Sequence, residues 1–103
     1  MIVETAYPFT LDNTDNANNI LESNALIFGC SATQQGQLDS LNQLQTILKN
    51  TGGEGLIYWG ADWVSTNCNT QWAEGSHWDN ATLFDHNYKA TLGMQLFNHS
   101  QSN

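Results

Sequence analysis

The stretch IVETAYPFT, at residues 2–10, decides the fold of this chain. Its first residues are good strand formers, and they lead directly into an acid, Glu4, with no lysine or arginine nearby to neutralise it. A second apolar run begins GLIYW within GLIYWGADWV, residues 55–64. Nearly continuous apolar runs are typical of strands in a parallel sheet, because both faces of such a sheet are covered. The two runs therefore predict two buried strands, at residues 1–5 and in the first half of residues 55–64.

A helix is predicted between these strands, over residues 34–50. Thr33 is suited to cap its N-terminus, and the glycines of TGGEG, residues 51–55, stop it. One apolar stripe recurs at helical spacing. It consists of Leu38, Leu41, Leu44 and Leu48. A last helix is predicted from about Lys89 to Asn98, with Ala90, Met94 and Phe97 on one face.

The order of elements is strand, long loop, helix, strand, long loop, helix. Strands that alternate with helices indicate parallel βα units, and long loops after both strands are typical of a (β/α)8 barrel. Such a barrel needs about 250 residues, so the 103 residues of this chain account for two of its eight units. Barrels place catalytic groups at the C-terminal ends of their strands, which is where Glu4 lies. Position alone leaves a second interpretation open, in which Glu4 is a solvent-facing acid that ends a strand.

The composition restricts the class of ligand. A net charge of -8 with only two basic residues argues against nucleic acid and against an anionic membrane surface. Asparagine, glutamine, serine and threonine are abundant, and there are four tryptophans. Such a surface suits an uncharged polar ligand, and sugars fit that description. Residues 1–10 lack a signal-peptide pattern, and the longest apolar run, residues 25–28, is too short to span a bilayer, so a soluble protein is expected.

Four segments in the same order resemble the C-terminal part of the arabinogalactan endo-β-1,4-galactanases of glycoside hydrolase family 53. They are IVETAYPFTLDNTDNANNIL (2–21), GQLDSLNQLQTILKNT (36–51), GLIYWGADWV (55–64) and WDNATLFDHNYKATLGMQLF (78–97). The resemblance implies strands 7 and 8 of a TIM barrel, each with its helix. It also implies that residues 1–103 are a C-terminal fragment of a glycoside hydrolase catalytic domain, and that the protein is secreted.

The resemblance implies retaining, endo-wise hydrolysis of β-1,4-galactan of the plant cell wall, with Glu4 as the nucleophile. Retaining hydrolysis needs a second carboxyl group, and the family carries it in an Asn-Glu dipeptide on strand four. No Asn-Glu dipeptide occurs in this chain. We therefore expect the chain to hold the nucleophile half of the site and to be inactive in isolation. A carbohydrate-binding module and a non-catalytic remnant remain as alternatives.

The resemblance assigns substrate contacts to Trp59, which matches a tryptophan of the sugar platform, and we extend them to Trp63 and Tyr7. Each has a structural alternative: the tryptophans as packing residues, and Tyr7 as a residue that shapes the turn before Pro8. The family pattern has Glu-Pro after the platform tryptophan, whereas this chain has Gly60 and Ala61.

Two cysteines, Cys30 and Cys68, lie in the two loops after the strands. In the barrel these loops are neighbours on one face, so we predict a Cys30–Cys68 disulfide, which would persist in a secreted protein; free thiols are the alternative. No cofactor and no metal site is predicted. Some bacterial relatives hold calcium in the loop after the seventh strand, where Asp12 and Asp15 lie, but the spacing here is not that of a known calcium loop.

Overall fold

A computed structural model describes residues 1–66 and 75–98 of the chain. Within them lie strands β1 and β2, helix α1 and two 3₁₀ helices. Their bounds are β1 Ile2–Thr5, the first 3₁₀ helix Ser23–Ala25, α1 Gln34–Asn50, β2 Leu56–Tyr58 and the second 3₁₀ helix Leu92–Phe97. Both predicted strands and the predicted first helix are present.

Strands β1 and β2 form a parallel pair, as the alternation of strands and helices predicts. Ile2 is opposite Leu56 and Thr5 is opposite Tyr58, so three steps along β1 match two steps along β2. This mismatch is a β-bulge, in which one strand carries an extra residue. After the bulge the ladder continues, since the Trp59 N–H donates to the Thr5 carbonyl at 2.8 Å.

Helix α1 begins and ends where its sequence predicts. The Thr33 hydroxyl accepts the Gly36 N–H at 3.0 Å, which caps the N-terminus, and the N–H of Gly53 bonds to the Leu48 carbonyl at 2.7 Å beyond the C-terminus. The core forms between this helix and the second 3₁₀ helix. It contains Leu38, Leu41 and Leu96, with Leu56, Tyr58 and Leu92 packed against them. Leu38 and Leu41 of the leucine stripe therefore pack against β2.

The last helix differs from the prediction of a helix from Lys89 to Asn98. It is a six-residue 3₁₀ helix that starts at Leu92. The preceding residues belong to a hairpin instead, because Phe84 bridges Ala90 in antiparallel fashion and the Asp85 N–H donates to the Lys89 carbonyl. Those backbone bonds outweigh the helical pattern of the side chains. In the described ranges, no helix is long and apolar enough to cross a membrane.

Candidate functional site

Glu4 and Trp59 lie at the same edge of the two-stranded sheet. Glu4 is the third residue of β1, and Trp59 directly follows β2. Because the strands are parallel, their C-terminal ends meet at one edge, where the loops after both strands also begin. Both side chains are exposed there, Trp59 at 41%. The sequence prediction that they share an edge is confirmed by this pairing.

The backbone at Glu4 is unusual for a strand. Its φ is +62°, and among the non-glycine residues that the structure describes only Tyr88 shares a positive φ. Glu4 lies within the bulge, between the register positions of Ile2 and Thr5. A left-handed conformation costs an L-residue roughly 1–2 kcal/mol, and such strain concentrates at functional sites. Bulges also change the direction in which a side chain points. The carboxylate is therefore presented at the strand end by a conformation that has its own energetic cost.

A buried hydrogen-bond network holds the strand ends together, and it centres on Tyr58 and Gln37. The Tyr58 hydroxyl accepts the Tyr7 N–H at 3.0 Å and lies 2.6 Å from the Ala81 carbonyl, its closest acceptor. The Gln37 amide donates to the carbonyls of Tyr7 at 3.0 Å and Thr82 at 2.9 Å. Burial raises the pKa of Tyr58 to about 12, although its bonds to Tyr7 and Gln37 oppose the change. The network joins both loops to α1.

Sequence reasoning missed this network. The signal for Gln37 is that it lies one turn before Leu41 and next to Leu38, and so shares the helix face of the leucine stripe. A glutamine on the apolar face of a helix indicates a buried amide with fixed partners, since an unpaired amide there is costly. Gln37 is fully buried. Tyr58 gave no separate signal within its apolar strand.

Tyr7 is buried, at 4% exposure. Its hydroxyl donates to the Cys30 carbonyl at 2.6 Å and accepts the Ile27 N–H at 2.8 Å. Both partners belong to the far end of the loop after β1, so Tyr7 fastens that loop to the strand end. The sugar contact predicted for Tyr7 stays a prediction, and its position in this structure is that of a loop anchor.

Three tryptophans, two of them exposed and Trp78 half-buried, form a cluster at the end of β2. The ring centroids of Trp59 and Trp63 are 5.4 Å apart, and those of Trp63 and Trp78 are 6.4 Å apart, both in edge-to-face arrangement. Trp59 and Trp63 are 41% and 48% exposed. Rigid aromatic faces at a surface offer apolar area at small entropic cost, which suits the C–H face of a sugar. The structure thus brings both predicted tryptophans together, and it adds Trp78, which the sequence analysis did not select.

Asp15 joins the two loops. One of its oxygens accepts the Ser65 hydroxyl at 2.6 Å and the Ser76 N–H at 2.7 Å, and the other accepts the Ala17 N–H at 2.9 Å. Burial by itself raises the pKa of Asp15, but these hydrogen bonds and the charge of His77 lower it, and the pKa lies below its usual value. Asp15 therefore acts as an ionised clamp between the loop after β1 and the loop after β2.

The hydrogen bonds of Asp15 also determine whether this residue could bind calcium. Both oxygens of Asp15 face N–H and O–H donors, which present positive hydrogen atoms where a cation would have to lie. Within residues 1–66 and 75–98, no group of three or more His, Cys, Asp or Glu side chains could hold a metal ion. The residues around Asp15 do not fit a calcium ion.

A cavity of about 200 Å³ lies between Thr14 of the loop after β1 and the loop after β2, next to Asp79 and His86. Asp79 is buried, and one of its oxygens accepts the Thr14 hydroxyl at 2.8 Å. Its other oxygen and Nε2 of His86 are buried without a hydrogen-bond partner. The cavity lies between the two loops, so its shape depends on how they are clamped together.

Cys30 is buried, at 2% exposure, and carries a free thiol in this structure. Its predicted partner, Cys68, lies outside the described residues. The disulfide therefore stays a prediction.

Residues 1–97 match the family model described as "Glycosyl hydrolase family 53". The chain belongs to this family. Over 85 residues it is 52% identical to an "Arabinogalactan endo-beta-1,4-galactanase" of Cellvibrio japonicus, a match that covers 82% of this chain and 23% of that protein. An "Endo-beta-1,4-galactanase" of Bacillus subtilis is 24% identical over 134 residues, covering 99% of this chain and 31% of the relative.

A solved structure of a family 53 catalytic domain, from Ignisphaera aggregans, superposes with a TM-score of 0.80 at 34% identity. The match covers 93% of this chain and 28% of that domain. This chain therefore spans between about a quarter and a third of the length of these relatives. Membership of glycosyl hydrolase family 53 and this structural match imply a TIM barrel, and the parallel βα order seen here agrees with it.

Proposed function

We propose that this family 53 chain contributes strands 7 and 8 of a retaining galactanase barrel, and that Glu4 is its nucleophile. The observation that carries the proposal is the backbone of Glu4, which is held at φ +62° in a bulge at the strand end. A solvent-facing acid with no function needs no such conformation. The strain is accounted for if the bulge directs the carboxylate at a substrate.

The chemistry follows from two carboxyl groups roughly 5–5.5 Å apart. The Glu4 carboxylate attacks the anomeric carbon, the bond from that carbon to the leaving oxygen breaks, and a glycosyl ester forms. The leaving oxygen takes a proton from the second carboxyl group, which then removes a proton from the water that hydrolyses the ester. That second group belongs to another strand of the barrel, and we expect this chain to be inactive without it.

The substrate class is proposed from the relatives and from the surface. Two relatives carry names that specify β-1,4-galactan or arabinogalactan as their substrate. The chain has a net charge of -8 and two basic residues, which disfavours an anionic polymer and suits a neutral one. We propose that Trp59 and Trp63 stack on galactose units next to Glu4, with Tyr7 holding the loop that borders them.

Secretion and the Cys30–Cys68 disulfide belong to the same proposal. A polysaccharide of the plant cell wall is met outside the cell, where a disulfide persists. Closing a loop of nearly forty residues restricts the unfolded chain by about 3–4 kcal/mol in the entropy account. Mass spectrometry of the protein secreted by its own host, with and without reduction, tests both statements.

The test of function uses a hybrid enzyme, in which this chain replaces the matching 23% of the C. japonicus galactanase. We expect the hybrid to release oligosaccharides from β-1,4-galactan and Glu4→Gln to reduce turnover by at least about 10³-fold, since an amide cannot form the glycosyl ester. Glu54→Gln is the matched control, because Glu54 is also exposed but precedes β2 at the opposite edge. Equal activity of the Glu4→Gln and Glu54→Gln hybrids would refute the assignment.

A further inference from the structure

Contacts between the rings are not the only interactions that hold the tryptophan cluster in place. Nε1 of Trp78 donates a hydrogen bond of 2.9 Å to the backbone carbonyl of Trp59. On its other side Trp59 is fixed by its own N–H, which donates to Thr5 across the sheet. The peptide of the exposed platform residue is thus held from both sides, once by β1 and once by the indole of Trp78.

Gly60 makes this contact possible. Its φ is +68°, a conformation that side chains disfavour, and a Cβ built at Gly60 would lie 2.5 Å from both Cδ1 and Nε1 of Trp78. The same Cβ would lie 3.0 Å from Cε3 of Trp63. Carbon atoms do not approach a rigid ring this closely, so a side chain at position 60 and the indole in its present place exclude each other.

The segment that carries Trp78 is anchored independently of the ring. The Ser76 hydroxyl donates to the Trp63 carbonyl at 2.6 Å and accepts the Trp78 N–H at 3.2 Å. The carbonyl of Trp78 accepts the Ala81 N–H at 2.9 Å. The indole is therefore brought to the turn at Gly60 by a fixed stretch of backbone.

We infer that Trp78 is a positioning residue for the sugar face of Trp59, and that Gly60 is the position that leaves room for its indole. This inference rests on the proposed function of Trp59. The indole fills the space in which a side chain at position 60 would stand, and from there it holds the Trp59 carbonyl.

The experiment measures kcat and KM of the hybrid enzyme on β-1,4-galactan. Trp78→Phe keeps an aromatic ring but removes the N–H donor together with the five-membered ring of the indole. One neutral hydrogen bond corresponds to about a fivefold effect, so we expect KM to rise about fivefold with kcat changed less than twofold. Tyr88→Phe is the matched control, because it also removes one hydrogen bond from an aromatic side chain to a backbone carbonyl, that of Ser65.

A double-mutant cycle tests the role of Gly60. Gly60→Ala alone should raise KM at least fivefold, whereas in a Trp78→Ala hybrid, where the indole is gone, it should add less than twofold. The unfavourable φ at position 60 is present in both backgrounds and cancels in the comparison. Additive effects of the two substitutions would overturn the inference, and so would a Trp78→Phe hybrid whose KM equals that of Tyr88→Phe.

Binding measurements separate this inference from the proposed function. In the Glu4→Gln hybrid, tryptophan fluorescence reports galacto-oligosaccharide binding without turnover. A hybrid that never cleaves galactan refutes the proposed function alone if Trp78→Phe still weakens oligosaccharide binding about fivefold. A hybrid that cleaves galactan and shows no change in binding with Trp78→Phe refutes the positioning role alone.

Discussion

Replacement of Glu4 by glycine should make the protein more stable than replacement by alanine. The left-handed φ of +62° costs an L-residue roughly 1–2 kcal/mol, and glycine removes that cost. Glycine also gains freedom in the unfolded chain, which costs about 0.5–1 kcal/mol relative to alanine. The balance leaves Glu4→Gly about 0.5–1 kcal/mol more stable than Glu4→Ala. Because the Glu4 side chain is exposed, its removal contributes little in either variant.

The assay is urea unfolding of the two hybrid variants, followed by circular dichroism. With an m value of about 3 kcal/mol/M, the expected difference moves the midpoint by about 0.2–0.3 M. Val3 provides the control, since it is the neighbouring exposed residue of β1 and has no positive φ. There the order should reverse, with Val3→Gly less stable than Val3→Ala by about 0.5–1 kcal/mol. A Glu4→Gly midpoint at or below that of Glu4→Ala would refute the strained bulge.

Three further predictions concern the groups that hold the strand ends. Gln37→Met keeps the approximate shape of the side chain but removes the donor to the buried Thr82 carbonyl and the acceptor of the buried Thr91 hydroxyl, so it should cost about 2–4 kcal/mol in urea unfolding, whereas Gln43→Met on the exposed face should cost almost nothing. The raised pKa of Tyr58 means that the folded state keeps a proton which the unfolded state loses, so stability should fall by about 3 kcal/mol as pH rises from about 10 to 12; a Tyr58→Phe variant that keeps the same slope would contradict this. The pKa of Asp15 is lower in the folded protein than in the unfolded chain, where it is about 3.9, so ionised Asp15 stabilises the folded state above that pH. This stabilisation is lost as the pH falls through the folded-state pKa. Asp15→Asn should therefore remove this part of the acid dependence, as measured by unfolding curves at several pH values.

The parts of the fold that could be predicted are those fixed by neighbouring residues. Helix α1 has the predicted bounds because its cap, Thr33, its leucine stripe and the glycines that end it all lie within residues 33–55. The parallel pairing followed from the order of the elements. The prediction of the last helix was wrong in both the helix type and the starting residue. The residues before Leu92 form a hairpin instead, in which Phe84 pairs with Ala90, and the helical spacing of the apolar residues does not indicate this pairing.

The candidate site was likewise predictable from the sequence only in part. Glu4 and Trp59 could be placed at one edge from the sequence, since strand ends and strand order are local features. The bulge at Glu4 could not, because it depends on the register with β2, more than fifty residues away. Nor could the bond from Trp78 to Trp59, which joins residues nineteen positions apart in the loop after β2. Contacts between distant segments determine these features, and no short motif encodes them.

The central claim is that Glu4 forms the glycosyl ester, and trapping of that ester tests it most directly. The hybrid enzyme is incubated with a 2-deoxy-2-fluoro-galactobioside that carries a good leaving group, and is then digested and analysed by mass spectrometry. The fluorine slows hydrolysis of the ester, so the labelled enzyme accumulates. Our account predicts one fluorogalactobiosyl group on the peptide that contains Glu4, and no label in the Glu4→Gln hybrid. Label on any other carboxylate, or turnover with inversion and no label, would contradict it.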